Sequence, residues 1–213
     1  MLKLLKANRN YVLPFIILLI ITLIILLFVK KGQEVIWLNR FYDKDLNTFF
    51  VWITRLGEEW VAIGIGLILL LKAPMRTFFG YLASMLMVSA FVNFFKHFVF
   101  DDAVRPKLFL SEYTLKFVEN VYINTMNSFP SGHTATAFAV FTYIAFALKP
   151  RFKSWIIILP VLAGLSRIYL AQHFLIDVIA GSILGFFMAT LSFWIFHNEE
   201  SFHRAFWNKK ILK

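Results

Sequence analysis

Cysteine is absent from all 213 residues. That excludes disulfide bonds, thiol nucleophiles and thiolate metal sites, and with them thiol redox chemistry. Charge is scarce too, at 16% of residues, and acidic side chains are the scarcer kind, with 12 Asp and Glu against 22 Lys and Arg. No repeat recurs at solenoid periods, and no low-complexity tract or linker divides the chain. Residues 1–213 therefore read as one domain. What the chain has in excess is apolar surface: 60% hydrophobic residues, 26 phenylalanines and a mean hydropathy of +0.71. Soluble globules hold about 45–50% apolar residues, so this chain is expected in a bilayer.

Crossing the hydrocarbon takes about 20 helical residues, with about 17 as a lower limit. Six stretches are the candidates, the second and fifth at the short end: Tyr11–Val29, Glu59–Pro74, Thr77–Phe98, Ser131–Leu148, Trp155–Leu170 and Phe174–Phe196. The second is the shortest in apolar core, Trp60–Leu71. The first follows a basic start but is too long for a signal-peptide core and lacks a small-residue cleavage site, so it is expected to be retained as an anchor. These stretches predict an all-α integral membrane bundle of six transmembrane helices, with the N- and C-termini cytoplasmic.

The net charge of +10 follows that topology and gives no reason to expect a nucleic-acid partner. The segments assigned inside hold twelve basic residues, Lys3, Lys6, Arg9, Lys72, Arg76, Lys149, Arg151, Lys153, Arg204, Lys209, Lys210 and Lys213, against Glu199 and Glu200. The outer segments balance, ten basic against ten acidic. Such an excess orients helical membrane proteins and favours anionic headgroups. The inner connections Lys72–Arg76 and Lys149–Lys153 contain Pro74 and Pro150 and read as tight helix stops. Of the longer outer ones, Lys30–Glu58 carries Trp37, Phe41 and Tyr42 and is expected to lie at the interface. In Asp101–Pro130, the helical spacing of Leu115, Val118 and Tyr122 beside Glu112, Lys116 and Glu119 predicts an interfacial helix or lid.

Three blocks place ionisable groups where apolar segments end, and such groups are costly in a membrane unless they serve a function. The first is Lys96 with Arg105-Pro106. The second is Asn127-Ser128-Phe129-Pro130-Ser131-Gly132-His133, a helix start with a capping serine, an early proline and a glycine that permits close approach. Its unpaired N–H groups and dipole suit a phosphate, and His133 in the first turn can donate to a leaving oxygen. The third is Ser166-Arg167, then His173 and Asp177. Four residues apart on a helix, His173 and Asp177 share a face. The carboxylate then fixes the tautomer and leaves the other ring nitrogen to attack. Arg105 and Arg167 offer planar forks and Lys96 a point charge for a phosphoryl group. For Lys107 and Lys116, snorkelling to the interface is sufficient.

In these blocks the chain resembles the type 2 phosphatidic acid phosphatase (PAP2) superfamily, over a motif-bearing core of about residues 77–196. The resemblance implies a six-helix membrane core, hydrolysis through a phosphohistidine and no metal or other cofactor. It implies that Lys96, Arg105 and Arg167 hold phosphate, that Ser131 and Gly132 add to that pocket, and that His133 is the acid, His173 the nucleophile and Asp177 its partner. The implied partner is a lipid phosphate or pyrophosphate at the outer face of the cytoplasmic membrane. Phosphatidylglycerophosphate, undecaprenyl pyrophosphate and lipid A phosphates are the substrates it suggests. One departure stands out. Eight residues separate Lys96 from Arg105 where the family has six, and Phe98 takes the usual lysine place. Two extra residues turn Lys96 by about 200° on a helix. Lys96 can therefore serve only if Phe98–Val104 forms a bulge or loop. A lipid or phosphate transporter and a non-catalytic lipid binder are the rival readings.

Overall fold

The computed structural model describes residues 1–119, 121–147, 153–197 and 205–212. Leu148 and residues 149–152, with the helix stop expected at Pro150, lie outside the described residues, as do Glu199, Glu200, Arg204 and Lys213. The described residues form helices and no strand. In chain order the helices are α1 (Leu2–Ala7), α2 (Arg9–Phe28), α3 (Gln33–Asn39), α4 (Lys44–Thr54), α5 (Glu59–Lys72) and α6 (Met75–Phe94). After them come α7 (Pro106–Phe109), α8 (Gly132–Ala147), α9 (Lys153–Ile156), α10 (Ile158–Tyr169), α11 (Leu175–His197) and α12 (Ala205–Asn208).

Three helical stretches are long and apolar enough to cross a membrane, Arg9–Phe28, Met75–Val99 and Leu175–His197. Much of α2 carries no buried face, and Ile16, Ile17, Ile20, Ile21 and Ile24 are all exposed, as expected of a helix whose solvent is lipid. The shorter helices occupy the other predicted stretches. The fifth is broken, because Pro160 has no N–H to offer Ile156, and α9 stops there before α10 begins.

Helix α8 is the axis of the bundle, buried from Thr134 to Phe146 on almost every face. Without a strong hydrophobic drive in lipid, helices associate through close packing of small residues. Gly181 and Gly185 of α11 do this: a Cβ on either would collide with the backbone of Ser131, Ala135 or Ala139. The contact brings the start of α11 beside the start of α8, and Ser131 N–H donates to the Asp177 carbonyl at 3.0 Å. Helix α6 flanks both, with Ser192 Oγ donating to the Gly80 carbonyl at 2.6 Å. At the end where α6 and α9 begin, Lys153 Nζ donates to Asn8 Oδ1. There too the C-terminal segment is tied down, Met75 N–H donating to the Lys209 carbonyl at 3.1 Å and Leu212 N–H to the Leu71 carbonyl at 2.9 Å.

Residues 30–58 fold into α3, α4 and a 3₁₀ turn, Arg55–Gly57, with Asp43 Oδ1 capping α4. One expectation for the connections needs correction. The helix expected around Leu115, Val118 and Tyr122 does not form; the only helix between Asp101 and Pro130 among the described residues is α7. The reason is tertiary. Asn39 grips the Lys116 backbone from both sides, at 2.7 and 2.8 Å, and Tyr42 Oη donates to the Phe117 carbonyl. Those long-range partners satisfy backbone groups that a helix would need.

Candidate active site

Where α6, α8, α10 and α11 present the same end, a cavity of about 470 Å³ is lined by Thr54, Glu58, Lys96, Arg105, His133, Arg167 and His173 together with Gly132 and Gln172. Residues from all three sequence blocks therefore share one space.

His173 sits in the link between α10 and α11, 1% exposed, and its Nδ1 lies 3.3 Å from Asp177 Oδ2. The same oxygen accepts from Ser128 Oγ at 2.5 Å and from Phe174 N–H at 3.0 Å. A carboxylate held by that many donors fixes the ring and its tautomer. Burial, then Arg105, Arg167 and Lys96 nearby, hold the His173 pKa well below its ordinary value, which favours the neutral imidazole.

Arg167 is buried at the end of α10, with Nη1 donating to Thr54 Oγ1 at 2.6 Å. Its Nε has no partner among the described residues. An orphaned guanidinium N–H beside a polar cavity is suited to an anion oxygen. Arg105 is clamped from behind. Nε donates to the Met126 carbonyl at 2.9 Å, Nη2 to the Asn127 carbonyl at 3.4 Å, and Nη1 to the carbonyl and side-chain oxygen of Gln172 at 3.3 and 3.2 Å.

Lys96 lies in a π turn, Phe95–Val99, that follows α6, and the backbone from Phe100 to Arg105 leaves the helix altogether. This is the bulge and loop that the longer spacing requires. Phe98 points away, 79% exposed, while Lys96 lines the cavity. Its ammonium stands 4.0 Å from where a Gly132 Cβ would be. Gly132 and His133 open α8 and face the cavity. Ser131 does not: it is fully buried and its hydroxyl serves the helix start, accepting from Thr134 Oγ1 at 2.9 Å. Its part in the site is thus to cap α8 and tie it to α11, rather than to line the phosphate space.

Thr54, Glu58, Gln172 and Ser128 join the site without having been singled out by the sequence. Ser128 and Gln172 lay inside recognised blocks, Thr54 and Glu58 outside them. The apolar side of the site is a second cavity of about 920 Å³ between α5 and α6, running from Phe78, Leu70 and Leu82 up to Glu58, Lys96, Gly132 and His133. The two cavities share those last four residues. Among the described residues no three His, Asp or Glu side chains cluster as a metal site would require.

Fold and cavity together define a class: a helical membrane protein that gathers cations, a histidine–carboxylate pair and a helix N-terminus around a space for an anion, beside an apolar groove. A model of the PAP2 superfamily matches residues 77–201, more than half the chain, and the protein belongs to that superfamily. Phosphatidylglycerophosphatase B of Bacillus subtilis is 41% identical over 68 residues, which cover 27% of this chain and 34% of that protein. The probable lipid phosphate phosphatase 4 of Arabidopsis thaliana is 33% identical over 90 residues, 36% of this chain and 29% of the relative. The chain thus spans about a third of the length of these curated relatives. The crystal structure of Aquifex aeolicus LpxE shares the fold, with a TM-score of 0.63 at 24% identity over 76% of this chain and 93% of that one.

Proposed function

We propose that the protein is a membrane lipid phosphatase that removes a terminal phosphate from a lipid headgroup through a phosphohistidine on His173. The observation that carries this reading is the buried His173–Asp177 pair together with Arg167, whose Nε has no partner among the described residues, His173 and Arg167 lining one cavity. In the proposed cycle the phosphoryl group rests against Arg105, Arg167, Lys96 and the first N–H groups of α8, which stabilise the charge of the transition state. His173 Nε2 attacks phosphorus while Asp177 holds Nδ1–H. The P–O bond to the lipid breaks, and His133 gives its proton to the departing oxygen, producing a lipid alcohol or lipid phosphate. His133 then takes a proton from water, whose oxygen attacks the phosphohistidine and releases inorganic phosphate. The apolar groove supplies the lateral entry that a lipid chain needs.

The topology belongs to the same proposal: six crossings, both termini cytoplasmic and the cavity at the outer face of the cytoplasmic membrane. The basic excess of the segments assigned inside supports it. So do the contacts of Asn8 with Lys153 and of Met75 with Lys209, which lie at the end away from the cavity. Phosphatidylglycerophosphate, undecaprenyl pyrophosphate and lipid A phosphates are the substrates to compare, and metal independence is part of the proposal.

The test is phosphate release by the purified protein on those three lipids, with His173→Ala beside it. Turnover is expected to disappear in the variant while lipid binding persists. Vanadate should inhibit the parent and a chelator should leave it unchanged. Phosphate release by His173→Ala at the parental rate would defeat the mechanism, and chelator-sensitive activity would replace it with a metal-assisted one. Because the chain lacks cysteine, single cysteines in place of Lys3 and Glu112 test sidedness: an impermeant maleimide should label only the latter in intact cells.

A further inference from the structure

Among the described residues, Glu58 is the one acidic side chain that lines both the polar cavity and the apolar groove. It stands at the N-cap of α5, after the turn whose Gly57 lies against the His133 backbone so closely that a Cβ there would collide with the His133 carbonyl. Its carboxylate makes no hydrogen bond or ion pair among the described residues, yet it lies within electrostatic reach of Arg167. The Asp177 carboxylate, by contrast, is engaged by three donors on the far side.

A lone carboxylate in a phosphate-binding site works against binding unless it selects among ligands. The seam between the cavities is where the group bonded to the scissile oxygen must sit, with phosphate on one side and chain on the other. Resting on the proposed phosphatase reading, we infer that Glu58 is a specificity-determining residue that disfavours lipids carrying a second phosphate next to the scissile one. It favours monophosphates whose neighbouring group is uncharged, such as a glycerol or a sugar. The physics is Coulombic: a diphosphate puts additional negative charge at the seam, and Glu58 repels it, whereas a hydroxyl there meets an acceptor it can donate to.

The test compares kcat/KM for dodecyl phosphate and dodecyl diphosphate, which share one chain, in the parent, Glu58→Gln and Glu58→Asp. Taking the ratio within each protein, then between proteins, cancels the intrinsic reactivity of the two substrates. A unit charge acting across about 10 Å at an effective dielectric of about 20 predicts that Glu58→Gln raises the diphosphate-to-monophosphate ratio about tenfold. Glu58→Asp, which keeps the charge, should stay near the parent. A ratio unchanged within about twofold in Glu58→Gln, or moved equally by Glu58→Asp, overturns the inference and leaves the phosphatase reading standing. A parent inactive on both lipids, and on the three natural classes, brings down both. If Glu58→Gln does not fold, Glu58→Ser carries the same comparison, with the same outcomes.

Discussion

Ser128→Ala removes a single oxygen from behind the proposed nucleophile. That oxygen donates to Asp177 Oδ2 at 2.5 Å, the shortest of three contacts to an atom also reached by Phe174 N–H at 3.0 Å and His173 Nδ1 at 3.3 Å. Hydrogen bonds to a charged acceptor contribute about 1.5–3 kcal/mol. The serine is buried, so water does not replace it without reorganisation. Two donors remain, which leaves the carboxylate less firmly placed. If the lost placement is expressed in the transition state, kcat falls about 10- to 150-fold at about 1.4 kcal/mol per tenfold. Binding groups are untouched, so KM should change little. The assay is steady-state phosphate release in detergent, with thermal unfolding alongside to separate a folding defect from a catalytic one. Ser128→Ala combined with Asp177→Asn should cost little more than Asp177→Asn alone, because both act through one atom. A kcat within twofold of the parent, or full additivity in the double variant, would refute the reasoning.

Arg167→Lys keeps a charge but loses the fork that reaches Thr54 and leaves Nε for the ligand; kcat/KM is expected to fall at least about 100-fold, and a loss under fivefold would count against the bidentate role. Gly185→Ala sets a Cβ against the Ala135 and Ala139 backbones and should lower stability by about 1–3 kcal/mol, read as melting temperature, whereas Gly64→Ala, with nothing within 4 Å, should not. For pH, the proposed mechanism makes the neutral His173 ring the reactive form, and its pKa is lowered from the ordinary histidine value by burial and nearby cations, so the acid limb of kcat/KM should fall below about 6.5. Arg105→Gln removes one of the cations that depress it, and the limb should then move to higher pH; a limb at or above 6.5 in the parent would contradict the electrostatics.

Much of this was legible in the sequence where one periodic property governed it. Apolar stretches located α2, α5, α6, α8 and α11 to within a few residues, because burial in lipid depends on composition and length. The spacing of His173 and Asp177 placed them together, because that contact is local. Contacts of Arg167 with Thr54 and of Arg105 with Gln172 span 113 and 67 residues, and no short pattern encodes them. The helix expected at Leu115, Val118 and Tyr122 failed for the same reason: Asn39, 77 residues away, holds the Lys116 backbone. The π turn at Lys96 was foreseeable only as a requirement, since Phe95–Val99 contains neither proline nor glycine to announce it.

The seam formed by Glu58, Lys96, Gly132 and His133 has a thermodynamic consequence. On the proposed function, a bond cut there would send its two halves into different phases, the lipid product sideways into oil and the inorganic ion into water. Reversal would require both to return to the same four residues at once, so dilution into two media would drive the proposed reaction forward.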